Sequence, residues 1–355
     1  MKHKNLIIGV LISTVIITGV SMGLFDKIKK AISPEDAKAN TPADVYGGLR
    51  QQILALHPSE IGLDSSSGKN VWAVLMETGY DDVVVTLVAI ADGTVSLYFS
   101  NGGGMIGLGE NEEVKNASDD LIGSAENYLE HAELTDSFPL PRRGNARFYF
   151  LTFDGIYTVE VKENDLGNNK LPLSPFFHKA HEVIGQARIA DEKRRMEAQQ
   201  IISASARGDV EEIKKLLHSG ISVNSIDDTF LSPLMSAAHS GQIESMTVLL
   251  DASAEIENKD KEGYTALMFA SNAGKTACVE LLIEKGADVN AKAHDGSTPI
   301  MFAAQHGHND VVKVLLENGA DPRVEGSHGL SAIGFAVQNN HKEIERILKE
   351  GRQIF

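Results

Sequence analysis

Ser232-Pro233-Leu234-Met235 is the first of four copies of a short motif in the C-terminal part of this 355-residue chain. The later copies are Thr265-Ala266-Leu267-Met268, Thr298-Pro299-Ile300-Met301 and Ser331-Ala332-Ile333-Gly334. Each copy begins 33 residues after the previous one, and paired aliphatic residues recur with the same period, as in Leu249-Leu250 and Leu282-Ile283. A fixed period of this length is typical of a solenoid, because stacked units bury apolar faces that no single unit could bury alone.

The residues within one unit predict two short helices. Ser or Thr at the start of the motif can cap the first helix, and Pro at the next position suits its first turn. Small residues such as Ala237-Ala238 and Ala303-Ala304 let the two helices approach closely. Gly286 and Gly319 can adopt the left-handed conformation that ends the second helix.

These features together resemble ankyrin repeats. The resemblance is carried by the period, the Thr-Pro-Leu-like start and the endings Gly286-Ala287-Asp288 and Gly319-Ala320-Asp321. It implies an all-α solenoid over residues 199–355, with units that begin near 199, 232, 265, 298 and 331. Hairpin loops would project from one edge of the stack, and the first and last units would act as caps.

Two departures from the ankyrin pattern affect the loops. The resemblance implies a histidine after the Thr-Pro-Leu start that ties neighbouring loops together, but this chain has Met235, Met268, Met301 and Gly334 there. We therefore expect the loops to be less rigid than is usual in the family. The segment Ser253-Ala254-Glu255-Ile256-Glu257 also lacks the usual glycine at its turn.

The resemblance implies a protein-binding face made of hairpin tips and the exposed side of the first helices. On this sequence the predicted partner-binding residues are Phe230, Leu231, His239, Lys261, Tyr264, Asn272, Ser297, Gln305, His306, Leu330 and Gln338. Other residues of the same face are Glu262, His294, Asp295, His328 and Asn339. Phe230, Leu231 and Tyr264 are the apolar candidates for anchoring a partner, and aromatic anchors carry much interface energy. The alternative is a set of solvated loop residues, with Phe230 tucked into the fold.

Residues 41–195 predict a separate α+β domain with a mostly antiparallel sheet, which we do not assign to a named family. Strands are predicted over 71–78, 83–91, 95–100, 147–153 and 156–161, and helices over 41–56, 112–133 and from 175 towards 195. Asp92-Gly93 and Asp154-Gly155 are hairpin signals. Residues 196–200 are good helix formers. We therefore expect the last helix to run directly into the first repeat.

A glycine-rich segment in this domain supports an alternative function. Gly102, Gly104 and Gly107 satisfy the pattern Gly-x-Gly-x-x-Gly, and the free N–H groups of such a loop can surround a phosphate. The dinucleotide-binding fingerprint requires a helix that opens within the motif, and Gly109 delays it here. A flexible surface loop or bulged strand end is the simpler interpretation. The alternative is an enzyme or small-ligand sensor with its site at 102–109.

No other segment predicts catalysis, a cofactor or a metal. His178 and His181 would share a helical face, but they do not have the His-Glu-x-x-His spacing of zinc proteases. The single cysteine, Cys278, cannot make an intrachain disulfide or a Cys-rich zinc site. We therefore expect a protein that is not an enzyme and has no cofactor.

Residues 1–25 predict a hydrophobic segment that is either an anchor or a signal. After a basic start, a run of 20 uncharged positions over residues 6–25 is long enough to cross a bilayer as a helix. This favours a membrane-anchored protein, with residues 26–40 as a linker; lysines on both sides leave its orientation open. A cleaved signal peptide is an alternative, since Gly19-Val20-Ser21 offers small residues for cleavage. The third interpretation is a cytoplasmic protein whose translation starts at Met22.

The charge balance bears on the class of partner. The chain has 33 Lys and Arg against 49 Asp and Glu, a formal net charge of -16. Such a surface repels phosphate, which argues against sequence-independent nucleic-acid binding. It favours a basic protein partner and speeds the approach of that partner. The preferred function is therefore a protein-binding adaptor, or an inhibitor or immunity-type protein, that presents a concave repeat surface.

Overall fold

The computed structural model describes residues 42–64, 70–101, 104–105, 107–327 and 329–351. The hydrophobic segment 1–25, the linker 26–40 and His328 lie outside the described residues. None of the described helices combines the length and the apolar character that a membrane span needs. The chain divides into two compact units between Glu192 and Lys193.

The N-terminal unit is a seven-stranded sheet with helices on both faces. Its helices are α1 (Pro42–Ala55), α2 (Glu112–Ala125), α3 (Glu163–Gly167) and the first part of α4 (Ser174–Arg207). Its strands are β1 (Val71–Gly79), β2 (Val84–Ile90), β3 (Val95–Phe99), β4 (Gly104–Met105), β5 (Glu133–Thr135), β6 (Asn145–Thr152) and β7 (Gly155–Lys162). The order is β4-β3-β2-β1-β6-β7-β5, and all neighbouring strands pair antiparallel. The predicted α+β class with an antiparallel sheet is confirmed.

Strand β1 lies at the centre of the sheet and is buried at every position. On one face, Val74 packs in a cluster that includes Leu121 of α2 and Phe176 of α4. On the other face, Leu75 packs in a second cluster that includes Ile53 of α1. Because both faces are covered, this strand has a continuous apolar run in the sequence instead of an alternating pattern.

A charged pair lies inside the second cluster. The Glu77 carboxylate is 0% exposed and accepts two hydrogen bonds from Arg50, at 2.6 Å from Nε to Oε1 and 2.8 Å from Nη2 to Oε2. Nη1 of Arg50 donates to the Phe138 carbonyl at 2.9 Å, and the Thr86 hydroxyl donates to Glu77 at 3.3 Å. Burial alone would lower the pKa of Arg50, but the hydrogen bonds and charge of Glu77 outweigh it and raise that pKa. Loss of one partner would leave an uncompensated buried charge.

The sequence analysis misplaced several elements of this unit. It missed β4 and β5, whose two and three residues are too few to show an alternating pattern. The helix predicted over 112–133 ends at Ala125 and continues as a 3-10 helix over Glu126–His131. The last helix, α4, begins at Ser174 and continues to Arg207, so the expected continuation beyond residue 195 is confirmed.

The C-terminal unit is all-α after the end of α4. Its helices are α5 (Val210–His218), α6 (Pro233–Ser240), α7 (Ile243–Asp251), α8 (Ala266–Asn272), α9 (Thr276–Glu284), α10 (Pro299–His306), α11 (Asn309–Glu317), α12 (Ala332–Gln338) and α13 (Lys342–Gly351). The first helix of each later pair begins directly after a motif residue, as at Ser232 and Thr265. One continuous core includes Leu234 and Leu267 of first helices and Leu249 of a second helix.

The first residue of the motif caps its helix in two of the four copies. The side chains of Ser232 and Thr265 accept hydrogen bonds from the backbone N–H groups three residues later, at 3.2 and 3.4 Å. Thr298 and Ser331 make no side-chain cap hydrogen bond. The predicted capping therefore holds for the first two copies and not for the last two.

The predicted left-handed turns are present after the second helices. Gly286 and Gly319 have φ angles of 94° and 87°. Where the glycine is missing, Ser253 adopts the same conformation with a φ of 67°. A side chain is strained in this region of backbone space, so this unit keeps its turn at a cost in conformational energy.

We expect Arg50→Met to lower the free energy of unfolding of the N-terminal unit by about 3–5 kcal/mol, because Glu77 stays buried without its partner. The chain has one tryptophan, Trp72, which is buried in the same cluster. Its fluorescence during urea unfolding of the full chain therefore measures this unit.

The double variant Arg50→Met/Glu77→Leu is the control. It should recover much of the lost stability, since the hydroxyls of Tyr46 and Thr86 lie 2.7 Å apart and can bond to each other. Equal unfolding midpoints for the single and double variants would contradict this account of the pair.

Candidate protein-binding surface

Successive hairpin loops of the C-terminal unit are joined by backbone hydrogen bonds. The pairs of N–H donor and carbonyl acceptor are Lys261–Thr229 at 3.1 Å, His294–Glu262 at 3.0 Å and Ser327–Asp295 at 2.7 Å. Each bond links a loop to the equivalent loop of the next unit. The loops are thus tied together by backbone bonds without the histidine that the motif lacks, and the expected lower rigidity of the loops stays a prediction.

An aspartate side chain shapes three of the hairpins. Oδ1 of Asp260 accepts from the N–H groups of Glu262 at 3.0 Å and Tyr264 at 2.7 Å. Asp227 makes the equivalent two bonds in its own loop, and Asp295 accepts from the Ser297 N–H at 2.9 Å. These are the local bonds by which Asp stabilises a turn. Burial raises the pKa of Asp260 to about 6, although the N–H donors act to lower it.

Two further series of hydrogen bonds link neighbouring units. In the first, a side-chain oxygen accepts from a backbone N–H of the next unit: Asn224–Glu255 at 2.9 Å, Glu257–Asp288 at 2.9 Å and Asn290–Asp321 at 2.8 Å. In the second, a side-chain nitrogen donates to a carbonyl of the preceding unit: Gln242–Ala206 at 3.3 Å, His308–Asn272 at 3.0 Å and His341–Gln305 at 3.1 Å. The exposed face therefore belongs to a stack in which each unit is bonded to the next.

The glycine after each first helix is required for two reasons. Gly274 and Gly307 have positive φ angles of 68° and 80°. A Cβ on Gly274 would lie 2.5 Å from Nδ1 of His308, and one on Gly307 would lie 2.8 Å from Cε1 of His341. The side chain of the following unit thus lies directly over the glycine.

The predicted partner-binding residues differ in exposure. His239, His306 and Gln338 are exposed. Leu231, Lys261, Tyr264, Asn272, Ser297, Gln305 and Leu330 are half-buried. Phe230 is buried, with 5% of its surface exposed. The structure therefore leaves most of this face accessible to solvent, with Phe230 as the exception.

The sequence analysis missed a row of phenylalanines on the first helices. Phe269, Phe302 and Phe335 follow one another at intervals of 33 residues, and each is half-buried. Tyr264 packs edge-to-face between two of them, with centroid distances of 6.3 Å to Phe269 and 5.0 Å to Phe302. The ring of His239 lies 6.1 Å from Phe269. The 33-residue spacing of the phenylalanines was the signal that could have revealed the row.

The comparisons with known proteins concern the C-terminal unit. Two family models, both described as ankyrin repeats, match residues 201–293 and 283–336. Residues 201–336 are ankyrin repeats. The comparison with curated proteins gives no match.

Phe230, one of the three apolar candidates, agrees with the alternative of a residue tucked into the fold. Phe230 has a positive φ of 60°, and its ring is covered by Lys261, whose Nζ lies 5.7 Å from the ring centroid. Leu231 packs against the core of the ankyrin repeats. Of the three apolar candidates, Tyr264 is the one whose ring belongs to the row on the first helices.

The glycine-rich segment of the N-terminal unit has a packing role in its described part. Gly104 and Met105 form the edge strand β4, and Gly109 packs so closely on Gly93 that a Cβ would lie 1.7 Å from its carbonyl oxygen. The α2 helix starts later, and its N-cap Asn111 already accepts from the Val114 N–H at 3.0 Å. Its side chain thus occupies the helix N-terminus that a phosphate would need. Gly102, Gly103 and Ile106 lie outside the described residues.

The two neighbouring histidines of α4 make different contacts. Nε2 of His178 lies 2.9 Å from Oδ1 of Asn169. The ring of His181 packs on Phe177 at a centroid distance of 4.3 Å, and burial lowers the pKa of His181. The structure agrees with a packing role for His181.

The glycine contacts predict that Gly274→Ala and Gly319→Ala differ in their effects on stability. Both residues have positive φ angles, of 68° and 87°, but a Cβ on Gly319 would meet no atom within 4 Å. We expect a cost of about 1–2 kcal/mol at Gly319 from backbone strain. At Gly274 we expect about 1–3 kcal/mol more, from displacement of His308. Urea unfolding followed by far-UV circular dichroism measures both.

Adding His308→Ala to Gly274→Ala tests the source of the extra cost. In a chain that carries His308→Ala, Gly274→Ala should cost no more stability than Gly319→Ala costs in the unmodified chain. An unchanged penalty would show that the contact with His308 is not responsible.

Proposed function

We propose that this chain is a non-catalytic binding protein that presents the exposed face of its ankyrin repeats to another protein. The proposal is carried by the combination of bonded hairpins with an accessible row of polar and aromatic side chains. Ankyrin repeats are typically binding modules without chemistry of their own. A face that is held in place before binding loses little conformational freedom when a partner arrives, which favours affinity.

Two forms of this function fit the same surface. As an adaptor, the chain would hold its partner near a second component. As an inhibitor or immunity-type protein, it would cover the working surface of an enzyme or toxin. The formal net charge of -16 favours a basic partner in either form, through electrostatic complementarity.

We do not propose the enzyme or ligand-sensor alternative. The described part of the glycine-rich segment pairs with β3 and packs on Gly93. These contacts support a role for the segment in completing the sheet edge.

Affinity capture with the full chain tests the binding face. We expect the triple variant His239→Ala/His306→Ala/Gln338→Ala to recover at least 10-fold less of the captured partner than the unmodified chain. All three side chains are exposed, so the fold should not change, which far-UV circular dichroism can check.

The matched control changes three exposed residues of the second helices, as Glu244→Ala/Glu280→Ala/Lys313→Ala. It should recover the partner as the unmodified chain does. Equal recovery with both triple variants would contradict the proposed face. An assay of the partner's own activity with and without the chain then separates an inhibitor from an adaptor.

We also propose that residues 6–25 hold the protein at a membrane. The supporting observation is their run of 20 uncharged positions, which matches the thickness of a bilayer core. We expect the full chain to sediment with membranes and to resist extraction by high salt, whereas a variant that starts at Met22 stays in the soluble fraction. A mature chain whose mass shows loss of the segment would support the signal-peptide alternative and contradict the anchor.

A further inference from the structure

The surface around Tyr264 combines packed aromatic rings with partial exposure to solvent. The base of the Tyr264 ring packs against a small cluster that contains Met268, Ala291 and Ala293, all buried. Tyr264 and Phe302 meet at an interplanar angle of 80°. Both residues are half-buried, and the face of an aromatic ring attracts cations.

Carboxylate residues lie close to Tyr264. Oδ1 of Asp260 accepts from the Tyr264 N–H at 2.7 Å, and the backbone bond from His294 to Glu262 brings the neighbouring loop, with Asp295, alongside. Burial is the largest cause that raises the pKa of the Tyr264 phenol, and the negative charges of Asp295, Asp260 and Glu262 raise it further. Glu262 is exposed and Asp295 is half-buried. Within the described part of the chain, neither of these two carboxylates forms a salt bridge. The rings therefore lie in a region of negative potential.

The lysines nearest in sequence are occupied elsewhere. Nζ of Lys261 lies over the ring of Phe230, and Nζ of Lys259 donates to the Lys292 carbonyl at 2.9 Å. These two cations thus have partners of their own, which leaves the carboxylates around Tyr264 open to a cation from outside.

We propose that this site, Tyr264 and Phe302 with Glu262 and Asp295, binds an arginine side chain of the partner protein. The proposal rests on the proposed function and names the chemistry of the partner at one point of the face. A guanidinium group is planar, so it can stack on an aromatic ring while its N–H groups donate to a carboxylate. A lysine ammonium lacks this flat geometry. Because the site is partly exposed, its contribution decreases as the salt concentration rises.

Selection from a library of random 12-residue peptides, displayed on phage and panned on the full chain, tests the proposal. We expect the recovered peptides to be enriched in arginine. A selected peptide is then synthesised in two forms, with arginine and with citrulline, its uncharged isostere. The dissociation constant should rise at least 10-fold for the citrulline form.

The variant Glu262→Gln/Asp295→Asn gives an independent measurement. It should weaken binding of the arginine peptide by a similar factor, because the amide oxygens preserve the turn but remove the charge. Glu280→Gln/Glu284→Gln is the matched control: it removes the same charge from exposed positions of α9 and should change the dissociation constant by less than twofold.

The outcomes separate this proposal from the proposed function. Peptides that lose affinity for the His239→Ala/His306→Ala/Gln338→Ala variant but not for Glu262→Gln/Asp295→Asn would support the face and overturn the arginine site. Equal affinity for the arginine and citrulline forms would also overturn it. If panning recovers no peptide more strongly on the unmodified chain than on the triple variant, both the site and the face are contradicted.

Discussion

The hydrogen bonds between neighbouring repeats are the constraint on which the C-terminal unit depends. A short helical pair cannot satisfy all the polar groups of its own loops, and buried backbone groups need partners. Here the partner comes from the next repeat, as when the Lys261 N–H donates to Thr229. The same bonds that complete the fold also fix the spacing of the loops, so the spacing of Tyr264 and Phe302 on the face follows from the way the stack is held together.

In the N-terminal unit the constraint is a different one: its central strand is covered on both sides. Such a strand has no solvent-facing side on which to place a charge, yet Glu77 lies in it. The bidentate contact with Arg50 and the hydroxyl of Thr86 make this position tolerable. The pair joins α1 to the sheet.

Periodic or long elements could be predicted from the sequence. Contacts between residues that are distant in the sequence could not. The 33-residue period, the long strands and the continuous α4 helix were predictable because each is a repeated local pattern. The burial of Phe230 was not, because it depends on a positive φ and on Lys261 of the next loop. Glu77 and Arg50 gave no local sign of pairing across 27 residues. The row of phenylalanines could have been predicted, because its members recur with the 33-residue period of the repeats.

The glycine that ends the first helix in three of the units makes the two directions along the stack sterically different. Gly241, Gly274 and Gly307 each lie beneath a side chain supplied by the unit that follows. At the last unit the corresponding residue is Asn340, which keeps a φ of 59°. A unit packed against the last one would contact that asparagine. A copy inserted within the stack would contact a glycine, which leaves space for its side chain. A unit inserted within the stack is therefore sterically easier to accommodate than a unit packed against Asn340.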